Sequence, residues 1–136
     1  MYEICEHTAD LGIRVRAGTL AEVFADAVSG LTAVICDDPA MIRPVVTESF
    51  AVAGTDPTWL LFDWLSEVHA AFEVRRLLVH DVQVVVEPQG LRATARGEHY
   101  DPARHVLAHE VKAITQHELD VRQTSDGWEA FFIVDI

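Results

Sequence analysis

Two periodicities organise this chain. From Gly18 to Ile35, in "GTLAEVFADAVSGLTAVI", apolar residues recur at helical spacing. Leu20, Val23, Phe24, Ala27, Val28, Leu31 and Val34 form one stripe. Thr19 and Glu22 have the spacing of a capping box, in which hydroxyl and carboxylate each satisfy a free amide. Gly30 weakens the middle of this helix, and Pro39 in "CDDPA" cannot continue it. A second helix begins at "TDPTW", with Thr55 or Asp56 as the cap and Pro57 in the first turn. Its stripe is Leu61, Trp64, Leu65, Val68 and Phe72. The remaining segments are strand-like. "YEICEH" and "GIRVRA" flank "TADL", and "RPVVTESFAVAG" alternates in part. "RRLLVHDVQVVVEP" turns at Gln89–Gly90 into "LRATARGEHY". After "DPARH", "VLAHEVKAITQHELDVRQ" turns at "TSDG" into "WEAFFIVDI". The order β-β-α-β-α followed by strands predicts an α+β protein, two amphipathic helices packed on a largely antiparallel sheet, with residues 1–136 as one domain.

The last strand poses a chemical problem. Phe131, Phe132, Ile133 and Val134 predict burial on both faces, yet Asp135 follows and Ile136 ends the chain with a second carboxylate. At period two, Asp135 shares a face with Phe131 and Ile133. A negative charge there requires a cation, either a basic side chain or a metal ion.

Charge then narrows the function. With 10 Lys and Arg against 22 Asp and Glu, the net charge is −12. Direct nucleic-acid binding rests on neutralising phosphates, so any RNA or DNA involved is expected to be held by a partner. Lys112 is the sole lysine. No apolar run approaches the ~20 residues of a membrane span, and "MYEICEHTAD" lacks the basic start and apolar core of a signal peptide. Cys5 and Cys36 form no CxxC pair and are too few for a disulfide scaffold. A cytoplasmic protein with free thiols is expected.

Several chemistries find no support. There is no GxGxxG, P-loop or GxSxG. His105 and His109 are four apart, but on a strand that spacing separates them by about 13 Å, and "HEVKAITQH" is not HExxH. Cys5 beside Glu6, and Cys36 before two aspartates, lie in surroundings that raise a thiol pKa.

The carboxylates carry more. "EHTAD" puts Asp10 in the connection between the two N-terminal strands, with His7 and Thr8 nearby. If the first and last strands are neighbours, Asp10, Asp135 and the Ile136 carboxylate converge. Oxygen ligands without sulfur suit Ca²⁺, Mg²⁺ or Mn²⁺. Alternatively each acid is an unrelated cap or surface group, or Lys112 pairs with Asp135 as a buried ion pair. Asp37 is a weaker candidate ligand, with a helix-ending turn as its other role.

Five ordered blocks then resemble one family. "HTADLGIRVRAGTLAEVFADAVSGL" is similar to the opening of the archeases, and "LLFDWLSEV" to their second helix. "GEHYDPARH", "VKAIT" followed by His117, and the terminal "DI" fall in the family's order. Gln116 stands where the family usually has tyrosine, and Ser66 where it often has asparagine. The resemblance implies an accessory protein, not an enzyme, that serves the GTP-dependent RNA-splicing ligase. It implies promotion of guanylylation of the ligase's active-site histidine and of multiple turnover in tRNA splicing. It further implies a divalent-cation site at Asp10, Asp135 and Ile136, with Lys112 activating the ligase or balancing charge. A metal-dependent phosphoester hydrolase, with His7 as base, and a chaperone-like binding module are the alternatives.

Overall fold

A computed structural model describes residues 1–6 and 10–136. Its elements in chain order are β1 (Tyr2–Glu6), β2 (Asp10–Ala17), α1 (Leu20–Ile35), β3 (Val46–Ala53), α2 (Pro57–Arg75), β4 (Leu77–Glu87), β5 (Gly90–His99), β6 (Ala113–Ile114), β7 (Asp120–Thr124) and β8 (Gly127–Asp135). All strand pairings are antiparallel, but they make two sheets. One has the order β1-β2-β8-β6, with β7 also on β8; the other runs β3-β5-β4. Both helices contact strands of both sheets and so lie between them. This explains why α1 buries more than the single stripe its sequence suggests. Gly30, Thr32 and Ile35 are buried as well as the predicted residues from Val23 onward.

Gly30 has a packing reason. A Cβ there would meet the Ile13 side chain at 2.8 Å and the Tyr2 ring at 3.4 Å, so a helix weakness lets α1 approach β2 closely. On β2 and β8 the alternation is broken at one pair: Gly12 and Ile133, opposite each other, are buried as well, so the last strand is buried on both faces there, as its sequence predicts. Leu11, Ile13 and Val15 face the helices with Ala130, Phe132 and Val134. The α2 stripe is buried as expected, and Trp64 Nε1 donates to the Phe24 carbonyl at 3.0 Å, tying the helices together. That bond lets a large ring sit in the core without an orphaned N–H.

Caps fix the helix starts. Thr19 Oγ1 accepts from the Glu22 amide at 3.2 Å, and its hydroxyl donates to Glu22 Oε1 at 3.1 Å. The glutamate therefore bonds the cap's hydroxyl and not its amide. Asp56 caps α2 by accepting from the Thr58 amide at 3.0 Å. That helix runs further than its sequence suggests: Arg75 is still helical, and Arg76 ends it in the left-handed region at φ 59°, its guanidinium over Phe72.

The largest departure is residues 100–119. "VLAHEVKAITQHELDVRQ" alternates like a strand, yet only Ala113–Ile114 joins the ladder before β7. The preceding stretch follows the end of α1. Asp37 N–H donates to Val106 O, Ala108 N–H to Ile35 O and His109 N–H to Val34 O. Helix-end carbonyls take bonds that a neighbouring strand would otherwise supply. No helix among the described residues is long and apolar enough to cross a membrane.

Candidate functional site

Asp10 is the first residue of β2, not part of the connection before it. β1 is the edge strand, and β2 is the neighbour of β8. The register sets Asp10 directly opposite Asp135, followed by Leu11 opposite Val134. On the other side of β8, Ala113 stands opposite Asp135. The Lys112 amide donates to the Asp135 carbonyl at 2.8 Å. Residues 10, 112 and 135, distant in sequence, thus meet at one end of the five-stranded sheet. The Ile136 side chain packs against the core, which anchors the backbone beyond Asp135 at that same end.

The register thus sets two carboxylate residues directly opposite one another, where like charges repel. Among the described residues no three His, Cys, Asp or Glu side chains are grouped as metal ligands. The predicted ligands Asp10 and Asp135 offer oxygen donors from two side chains. Oxygen donors alone fit a hard cation. Lys112 does not form the buried pair with Asp135: its side chain is exposed, and its ammonium makes no ion pair among the described residues. The link between the two residues is through their backbones.

The weaker candidates fare differently. His7 and Thr8 lie outside the described residues. Asp37 is exposed just past α1, its amide held by Val106, and is outside the register that joins Asp10 to Asp135. His105 is a satisfied core histidine, 2% exposed. Its Nδ1 accepts from the Asp101 amide at 3.0 Å, so Nε2 carries the proton and donates to Glu98 at 2.9 Å. His109 is exposed and bound through its backbone.

Two charge clusters escaped the sequence reading. Glu98 accepts from Arg43 Nε at 3.0 Å and Nη2 at 2.6 Å, from the Arg43 amide at 3.1 Å, and from Arg104 Nε at 3.2 Å. The Arg43 guanidinium holds this carboxyl well below the usual carboxylate range, with the Arg43 amide, Arg104 and His105 adding to it and burial opposing it. The spacing of Glu98 and His105 across "DPAR" was the only signal. On the outer face of the five-stranded sheet, Glu129 is approached by Arg14 at 3.1 Å, Arg122 at 3.7 Å and Arg16 at 3.8 Å. Arg14, which also lies over Phe131, lowers the Glu129 pKa most. A cleft of about 360 Å³ opens here, but Glu118 and Asp120 join Glu129 in its wall and offset the arginines.

Two helices between antiparallel sheets, with acids opposed at one strand end, define an α+β protein of a known kind. The solution structure of Methanobacterium thermoautotrophicum protein 1598 matches it with a TM-score of 0.83, at 26% identity over 99% of this chain and 98% of that one. The model of the Archease protein family matches residues 2–136. Protein archease of Methanopyrus kandleri is 37% identical over 139 residues, covering 99% of each chain. Protein archease of Pyrococcus furiosus is 36% identical over 140 residues, 99% of this chain and 98% of that one. The chain belongs to the archease family.

Proposed function

We propose that this protein is an accessory factor of a GTP-dependent RNA-splicing ligase, without catalytic activity of its own. It promotes guanylylation of the ligase's active-site histidine and so sustains multiple turnover in tRNA splicing and RNA repair. Asp10, Asp135 and the Ile136 carboxylate would hold a divalent cation, Ca²⁺, Mg²⁺ or Mn²⁺. The observation that carries this reading is the register: residues 10 and 135 stand opposite one another, with the Lys112 amide on Asp135.

A bound divalent ion supplies charge neutralisation for phosphate groups and nucleotide orientation. The chain's own part is electrostatic and positional. Asp10 and Asp135 set an oxygen-lined end on a rigid sheet, where strand pairing limits their movement. Lys112, exposed beside them, presents the sole lysine ammonium to a nucleotide phosphate or balances the carboxylates. A net charge of −12 favours docking on a basic, RNA-holding enzyme over contact with RNA itself.

The test is a ligation time course with substoichiometric cognate ligase, GTP and Mn²⁺. Wild type is expected to turn a single round into many, and folded Asp10→Ala to leave the ligase at one round. Equal support from the two proteins would overturn the reading.

A further inference from the structure

The peptide unit between Val111 and Lys112 is held from both sides. Its N–H donates to the Asp135 carbonyl at 2.8 Å. Its carbonyl oxygen lies 2.8 Å from His69 Nε2, on α2. A carbonyl can only accept, so the imidazole carries its proton on Nε2 and donates. The ring is 14% exposed, and Glu73, one turn along α2, sits 3.3 Å from the same nitrogen. A line of hydrogen bonds therefore runs from α2 through one peptide plane to the end of β8. Bonds in series through a peptide polarise and strengthen one another.

Local structure shows why the tether matters. β6 has two residues, too few to hold a strand end in place alone. The last backbone bond to α1 before it is that of His109. Between that bond and β6, His69 supplies the side-chain anchor. Val111 is 3% exposed, so its carbonyl has little access to replacement water.

We propose that His69 is a positioning residue for the strand-end site: through the Val111–Lys112 peptide it orients Lys112 and fixes the terminal segment that bears Asp135. The inference rests on the reading of Asp10, Lys112 and Asp135 given above. It concerns neither contact with substrate nor titration of the imidazole.

Two variants separate the outcomes. His69→Leu fills the space without a donor, and His69→Gln carries an amide N–H to about the position of Nε2. Amide exchange of the 15N-labelled protein is read at Lys112, beside ligase turnover and the Ca²⁺-induced rise in Tm. In His69→Leu, the Lys112 amide is expected to exchange about tenfold faster, the size of effect one lost hydrogen bond gives. Turnover support and the Ca²⁺ response should fall with it, and His69→Gln should restore all three. Wild-type exchange at Lys112 in folded His69→Leu overturns the proposal, and so does faster exchange with unchanged turnover. Should His69→Leu unfold broadly, His69→Gln decides: wild-type behaviour supports the proposal, and failure in a folded protein overturns it. Asp10→Ala with full turnover support would instead overturn the ligase reading, while leaving the Lys112 exchange result to judge the tether.

Discussion

Two groups of acids in this molecule are built in opposite ways. At one, Glu98 is enclosed by two guanidiniums, a main-chain amide and an imidazole, all donors. At the other, β2 and β8 set Asp10 against Asp135, acid opposite acid. The Glu98 arrangement satisfies a buried charge with the chain's own groups and gains stability by doing so. The strand-end arrangement brings like charges together, an outcome a fold selects against unless something is gained. The first is a staple: it joins β5 to the segment after α1 and to the "DPARH" turn. The second is the proposed cation site.

The comparison breaks most sharply at Glu98. Glu98→Leu leaves Arg43, Arg104 and His105 without their common acceptor, and it is expected to lower Tm more than any other single carboxylate replacement. Asp135→Asn, melted in chelator, is expected to match or exceed wild-type Tm, because it removes one of two opposed charges. In Ca²⁺ the order should invert: wild type gains stability by ion binding, and Asp135→Asn does not. Equal destabilisation by both replacements in chelator would erase the distinction.

His105 gives the next largest effect. His105→Leu orphans the Asp101 amide and takes one of several donors from Glu98, at a cost of about 1–3 kcal/mol for one unmet group. Denaturant melts measure it, and ligase support at a temperature where the variant is folded should be unchanged.

Acid titration sharpens the contrast further. The Arg43 guanidinium depresses the Glu98 pKa in the native state, so between that value and the unfolded one, near 4.3, the unfolded chain binds more protons. Stability there rises with pH. The Glu98 contribution is therefore complete above about pH 5 and is lost as pH falls through the ordinary carboxylate range. Tm measured from pH 6 to pH 3 should fall less steeply in Glu98→Gln than in wild type. An identical slope would mean that the cage does not discriminate between charged and neutral Glu98.

How much of this was legible beforehand differs between the two groups for a physical reason. Helices announce themselves locally: the Thr19 and Asp56 caps, Pro57 and the stripes around Phe24 and Trp64 all lie within a few residues of one another. The acids at the strand end stood out as carboxylates before any resemblance, but their convergence could be stated only as a condition on strand order, because it depends on pairing positions 10 and 135 through β2 and β8. Residues 100–119 misled because their alternation mimics a strand, while their bonding partners are the carbonyls at the end of α1. The Glu98 cage was missed for a related reason. Arg43 is 55 positions from Glu98, and no local pattern marks an arginine as the partner of a particular acid. His69 was invisible in sequence because its partner is a main-chain carbonyl, which every residue offers.

The smallest effect tests how the cage is shared. Arg43 provides two side-chain bonds and its own amide to Glu98. Arg104 is bound at 3.2 and 3.4 Å and spends one nitrogen on the Met41 carbonyl at 2.8 Å. Arg104→Gln is therefore expected to cost only about 0.5–1 kcal/mol, as for a partly exposed ion pair whose partner keeps other donors. Arg43→Gln should cost more, even though its amide bond survives the change. Melts in high salt discriminate further: screening should shrink the Arg104 effect, whereas the Arg43 effect, carried by a short two-pronged contact on a buried carboxylate, should persist. If the two replacements prove equal and equally salt-sensitive, Glu98 is held by a diffuse positive field and not by one clamp, and the difference between staple and site becomes one of net charge alone.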